Sequence, residues 1–384
     1  MIANVDVSSV VTGLQTGSLY GYHAIFVLMV LIVPLAVIQF ASGYLGLVTG
    51  KGLGQLMREN FSFRVSGISS IPMAVTDFLS YVAEYAGIGI GMAILGVSPL
   101  LSLPVVYVAH NLLVLKRRYR SIERALLPIS FVFLVSIISV AFILRPSSYG
   151  IIEGLSPIQP YGNTGFDYYI VANVGAVIMP FMLFYQAGAT AEKRMAIPDA
   201  KLVKYETWFG SVVSEILMVC ILVSGTVIGG YLSVAGGSDS VGSLPGSVRY
   251  LIAIGLVAVG FLALVVISLA SSWSVAEVYG WISHETSGKT SLNKFYAMYV
   301  LESFPALLLA MWFGLDLVGL IINLMVAFVI VLIPSGLLLG MLVSNEKVMG
   351  KWKLGKRYMS LYWILFLMVE SAGISGILLY LGVY

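Results

Sequence analysis

Ten stretches of this sequence are long and apolar enough to cross a lipid bilayer: about 22–49, 69–95, 98–116, 122–145, 167–189, 206–234, 248–278, 294–313, 316–343 and 358–383. A spanning helix needs about 20 predominantly apolar residues. A shorter piece, 6–18, precedes them and reads as a fragment of an eleventh. Only 10% of the 384 residues are charged, where a soluble domain carries about 25%. The chain is therefore read as an all-α polytopic membrane protein whose apolar surface faces lipid as well as core. The first residues, MIANVDVSS, lack the basic region and apolar core of a cleavable signal peptide. The single cysteine, Cys220, cannot form an internal disulfide.

Basic residues orient the spans. Loops 50–68, 115–125, 190–205, 284–294 and 344–357 hold 19 of the 21 Lys and Arg. If each segment crosses once, all five loops lie on one side, and the opposite loops keep only Arg145 and Arg249. Cytoplasmic loops carry the excess of Lys and Arg. The expected protein is an integral, multi-pass protein of the plasma membrane, with a cytoplasmic N-terminus and with Tyr384 outside.

Charges inside spans are costly and mark functional positions by default. Asp6, Asp77, Glu84, Glu215, Glu277, Glu302 and Glu370 qualify. Glu277 and Asp77 also fit near cytoplasmic ends, where water is in reach, and Glu215 fits a pairing with a basic loop. Glu84 and Glu302 lie deeper in apolar runs. Asp77, Tyr81 and Glu84 are spaced i, i+4, i+7 and share one helix face, which reads as a polar relay or as a satisfied network between helices. GIGIGMAILG (87–96) lacks the strand that a phosphate loop follows, so its glycines fit close helix packing instead. His23, His110 and His284 have no metal-ligand spacing, and neither HExxH nor GxSxG occurs, so a membrane enzyme has no support.

Two segments look broken. Pro180 lies inside the fifth full span, where it removes one backbone hydrogen bond. Asp6-Val7-Ser8-Ser9 offers side chains that serve unpaired groups at a helix start. Five segments separate the breaks. Transporters built on inverted five-helix repeats place broken helices at corresponding positions, with the substrate between them.

At these residues the chain resembles the NRAMP family of divalent metal transporters. DVSSVVTGLQTGSLYGY (6–22) is similar to the family's first helix, and LGLVTGKGLGQLMREN (45–60) to the loop after its second. VAEYAG (82–87) is similar to the third-helix motif, GAVIMPF (175–181) to the sixth, and LVSNEKVMGK (342–351) to the segment after the tenth. The resemblance implies a LeuT-type fold with inverted five-helix repeats and about eleven transmembrane segments, the first one truncated. It forms one domain over 1–384: a first repeat over 1–145, a second over 167–343, and an additional helix at 358–383. It implies transport of an Mn²⁺- or Fe²⁺-like divalent cation by alternating access. The metal, which is the substrate and not a cofactor, would be held by Asp6, Ser9, the carbonyl of Ala176 and Met179. A carboxylate, a hydroxyl, a carbonyl and a thioether form a mixed shell for such a cation. No nucleic-acid or protein partner is implied.

Several positions depart from the family. Its sixth-helix histidines are Phe181 and Gln186, an acid before the third-helix glutamate is Tyr81, and its paired ninth-helix arginines are Met298 and Tyr299. Its tenth-helix glutamine is Val326, with Asn323 one turn away. Those residues form the family's proton route, so weak or absent proton coupling is expected. Glu84, Tyr81 and Asp77 would remain as a polar relay, with Asn323, Gln186 and Glu302 as additional candidates. A Mg²⁺ transporter of the related branch and an ion-coupled organic-solute symporter are the alternatives. Asp6 favours a cation, because a substrate carboxylate prefers helix N-termini without a nearby fixed acid.

Orientation is directly testable. Cysteines placed near Arg118, Lys201 and Lys353 are expected to resist an impermeant thiol reagent in right-side-out cells; ready labelling from outside refutes the assignment.

Overall fold

The computed structural model describes residues 5–115, 119–229, 245–281, 289–312, 318–380 and 382, and these contain helices and no strands. In chain order they are α1 (Val7–Tyr20), α2 (Ile25–Thr49), α3 (Leu53–Asn60), α4 (Phe63–Ile94) and α5 (Pro99–Leu115). There follow α6 (Tyr119–Ile143), α7 (Ser148–Gly154), α8 (Thr164–Val177), α9 (Pro180–Glu192) and α10 (Ala200–Ile228). The last are α11 (Gly246–Val278), α12 (Lys289–Trp312), α13 (Val318–Ser344), α14 (Glu346–Met349) and α15 (Lys356–Tyr380). Eight described segments are long and apolar enough to span a bilayer, counting α8 and α9 as one. The long helix α4 starts earlier than its hydropathy indicates because the Ser62 hydroxyl accepts from Val65 N at 3.4 Å, capping the first turn. The expected loop around Arg118 and the tail of the 206–234 span lie partly outside the described residues.

Helix α11 is the centre of the bundle. It packs against α3, α4, α6, α9 and α12, and every residue from Leu262 to Val278 is buried. A helix apolar and buried all round belongs to the interior. Helix α1 is enclosed by α10 and α8, and α8 also packs on α13 and α15.

In lipid there is no hydrophobic drive to bring apolar helices together, so small residues set how closely they pack. A Cβ on Gly17 would lie 2.0 Å from the Leu222 carbonyl oxygen, and one on Gly225 would lie 2.2 Å from that of Leu14. The backbones of α1 and α10 therefore touch. A Cβ on Gly175 would come within 1.8 Å of the Met325 carbonyl, which brings α8 as close to α13. The glycine run at 87–96 does the same on α4: Gly87 faces Val7 of α1, and Gly91 faces the Ala253 carbonyl of α11.

The glycines of KGLGQ have a different cause. Glu277, at the end of α11, is 1% exposed, and its Oε2 accepts from Gln55 N at 3.1 Å, inside the first turn of α3. A Cβ on Gly52 would fall 2.0 Å from Glu277 Oε1. Glu277 does not reach water; it serves the N-terminal end of α3, where unpaired N–H groups and the helix dipole favour an anion.

Gly17→Ala is expected to destabilise the protein by about 1–3 kcal/mol through overpacking against backbone that cannot give way. Gly319→Ala, on a helix face with nothing within 4 Å, is the control and should be neutral. Thermal unfolding in detergent compares them, and an unaffected Gly17→Ala variant means the α1–α10 seam has slack.

Candidate functional site

Pro34, Pro72, Pro104, Pro128, Pro305 and Pro334 all lie inside unbroken helices. Only Pro180 coincides with a break. Helix α8 stops at Val177, Ile178 turns to φ −113°, ψ 81°, and Met179 is extended at φ −87°, ψ 137°. A residue before proline is pushed out of the helical region, and proline is well placed at the first position of the next helix. Pro180 has no N–H, so the carbonyl four residues back, that of Ala176, has no donor within its own helix. Its donor comes from α1: Ser9 Oγ lies 3.0 Å from Ala176 O.

The start of α1 faces this break. Asp6 is extended (φ −117°, ψ −176°), and its Oδ1 accepts from Ser9 N at 2.6 Å. Ser9 Oγ is also 2.7 Å from Asp6 Oδ1. A hydroxyl has one hydrogen, so Ser9 donates to the carboxylate or to the Ala176 carbonyl at any moment, but not to both. A hydrogen bond to a charged group contributes about 1.5–3 kcal/mol, so the two acceptors compete on unequal terms. Asp6 Oδ2 has no hydrogen-bond partner. Asp6, Ser9 and Ala176 are 0% exposed and Met179 1%, so all four are buried from solvent. The structure thus links Asp6, Ser9 and the Ala176 carbonyl by hydrogen bonds, and Met179 is buried three residues beyond Ala176 at the corner of the break.

Glu84 joins them from α4. Its Oε2 accepts from Val7 N at 3.1 Å, while Oε1 has no partner. Tyr81, one turn earlier, donates instead to Glu302 Oε2 on α12 at 3.1 Å, and Ser271 of α11 donates to Glu302 Oε1 at 3.0 Å. Asp77 is fully buried, and neither of its oxygens has a hydrogen-bond partner. Glu84, Tyr81 and Asp77 share a face of α4, but no hydrogen bond joins Glu84 to Tyr81.

Asn323 and Gln186 are not in the site. Asn323 Oδ1 accepts from Tyr168 OH at 2.5 Å, on α8 nearly three turns before the break. Gln186 lines a cavity of about 340 Å³ between α6, α9, α10 and α11, with Tyr185, Thr190 and Lys193, whose Nζ is 2.6 Å from Glu123. Among the charges, Asp77 does not approach water, and Glu215 is fully buried without a hydrogen-bond partner instead of meeting a basic loop. Phe181 packs edge-on against Phe328, and Val326 lies beside Gly376 of α15.

Two features escaped the sequence. Glu84 as a partner of the Val7 N–H has no local signal, since 77 residues separate them. His110, set aside for want of ligand spacing, is fully buried with Nε2 2.8 Å from Tyr85 OH and Nδ1 2.9 Å from Tyr299 OH. Among the described residues no group of three or more His, Cys, Asp or Glu side chains gathers at one place.

The family model for natural resistance-associated macrophage protein-like proteins matches residues 1–380. The divalent metal cation transporter MntH of Bacillus subtilis is 26% identical over 203 residues, 52% of this chain and 48% of the relative. MntH of Verminephrobacter eiseniae is 30% identical over 199 residues, 51% and 45%. The aligned part of the chain thus spans about half the length of these curated relatives. Among solved structures, a variant of the Eremococcus coleocola manganese transporter superposes with TM-score 0.78 and 17% identity over 99% of this chain and 86% of that one. MhsT in complex with L-phenylalanine gives 0.59 at 12% identity over 98% and 95%, and Mhp1, a nucleobase-cation-symport-1 family transporter, 0.61 at 13% over 98% and 88%. These likenesses establish the LeuT-type fold.

Proposed function

We propose, from the premise that this chain belongs to the natural resistance-associated macrophage protein-like family, that it is a divalent metal cation transporter working by alternating access. The cargo is an Mn²⁺- or Fe²⁺-like ion bound between the start of α1 and the α8–α9 break. The proposal divides the chain into repeats at 1–145 and 167–343. It places the protein in the plasma membrane with its N-terminus cytoplasmic and its C-terminus outside. The observation that carries it is the Ser9 hydroxyl reaching both Asp6 Oδ1 and the carbonyl that Pro180 deprives of its helical donor, while Asp6 Oδ2 stays buried and unpaired on the same carboxylate. The Ser9 hydroxyl oxygen, within reach of both, joins them as a ligand when its hydrogen turns aside. Met179, at the extended corner, adds a thioether.

Asp6→Ala is expected to abolish Mn²⁺ binding in calorimetric titration of the purified protein; normal binding removes Asp6 from the site. Met179→Ala should weaken Cd²⁺ and Mn²⁺ much more than Mg²⁺, since thioether sulfur favours softer cations. Equal losses across the three ions would leave Met179 a packing residue.

We further propose that transport is weakly coupled, or uncoupled, to protons. Phe181, Met298 and Tyr299 stand at the family's relay positions, and Glu84 has no hydrogen bond onward to Tyr81, Asp77 or Glu302. In proteoliposomes, metal entry should then cause little internal acidification beyond the leak. Strong metal-driven proton uptake contradicts this.

A further inference from the structure

We infer that Glu84 is itself a ligand of the transported cation, so that the site holds it between two carboxylates. The inference rests on the proposed function and deepens it. Both acids are used in the same way. Asp6 commits Oδ1 to the Ser9 N–H, and Glu84 commits Oε2 to the Val7 N–H, each holding the first turn of α1. Each then keeps one oxygen, Asp6 Oδ2 and Glu84 Oε1, fully buried and with no donor from the backbone or from any side chain other than the facing acid. The two carboxyl groups adjoin. A capping role for Glu84 accounts for Oε2 and leaves Oε1 in a second, purely acidic environment that a cap does not need.

Charge decides between the readings. Buried carboxylates are tolerated when paired or bound to metal. Among the described residues neither Asp6 nor Glu84 takes part in an ion pair with a basic side chain. A divalent cation held by Asp6 alone would leave a net positive charge in a site closed to water, whereas one held by both is balanced. Backbone packing fixes the approach: a Cβ on Gly87 would lie 2.3 Å from Val7 Cγ1, so α4 sits directly against the first residue of α1 and carries Glu84 there. Two carboxylates also make the site harder, against the single soft thioether of Met179.

The test is calorimetric titration of the purified full chain with Mn²⁺ and Cd²⁺. Glu84→Gln keeps a carbonyl oxygen for the Val7 N–H and removes the charge. It should weaken Mn²⁺ by roughly 100-fold or more, the upper end of what even an outer-shell partner costs, and weaken Cd²⁺ less. Glu84→Asp, which keeps the charge but withdraws it by one methylene, should fall between. Thermal melts in detergent check that both variants fold, and if neither does, a Mn²⁺ soak of wild-type crystals decides. Its anomalous peak should lie at bonding distance from both Asp6 Oδ2 and Glu84 Oε1. A peak bonded to Asp6 but out of reach of Glu84 overturns the inference. So does a folded Glu84→Gln protein that binds Mn²⁺ as tightly as wild type while Asp6→Asn has lost it, and either result leaves the proposed function standing. Failure of the wild type to bind Mn²⁺ brings down the proposed function, and this inference with it.

Discussion

The carbonyl of Ala176 cannot be paired within its own helix, and the site is organised around that fact. In hydrocarbon an unsatisfied backbone group costs several kcal/mol, so a break there must line a polar cavity or find a partner elsewhere. The start of α1 has the complementary deficit, with N–H groups that no earlier turn accepts. Asp6 and Glu84 satisfy two of them, at Ser9 and Val7. One helix end therefore gathers carboxylates because its dipole is positive, and the other exposes a carbonyl because proline has removed the donor. The first leaves Asp6 Oδ2 and Glu84 Oε1 uncommitted and the second leaves a carbonyl held by a single hydroxyl, so oxygen atoms gather in one buried place, as a cation site requires.

Such a meeting needs close backbones, and glycines permit it. Gly17 and Gly225 bring α1 onto α10, Gly175 brings α8 onto α13, and Gly87 lets Val7 lie against α4. Helix α11, buried throughout from Leu262 to Val278, stands behind α4 and α9 as the element they share. At the C-terminal end of α11, Glu277 holds α3 through the Gln55 N–H, so a short loop helix is tied to the buried central helix.

Much of this was legible. Apolar run lengths located the spans, because a bilayer fixes how long a helix must be, and the fold class followed from them with the two breaks. The residues proposed to hold the metal were singled out through the resemblance, since proline alone is a poor signal here. Pro34 and Pro334 sit in equally apolar runs and interrupt nothing. What distinguishes Pro180 is a hydroxyl on another helix placed to take over its orphaned carbonyl, and Ser9 is 167 residues away from Ala176. Contacts of that range have no local pattern. The same reason hid His110, whose partners Tyr85 and Tyr299 come from two other helices, and misplaced Asn323, which answers to Tyr168. Glu277 was misread because hydropathy near a helix end suggests water, while the actual partner is the N-terminal turn of a neighbouring helix.

The polar side chains of α4 divide into two sets with different partners. Glu84 turns to α1 and the metal residues; Tyr81 turns to Glu302 and Ser271, and Tyr85 to His110. A relay that carried protons away from the metal would have to cross from the first set to the second. The hydrogen bonds stop at that step, one helical turn wide. Rigid α4 nonetheless joins the sets mechanically, since a shift of the helix that changed the Glu84–Val7 contact would also strain the Tyr81–Glu302 and Tyr85–His110 contacts. The outer set is therefore better suited to fixing where α4 stands relative to α5, α11 and α12 than to conducting protons. That is the role a carrier needs if its cation is balanced by two fixed carboxylates and not by an exchanged proton.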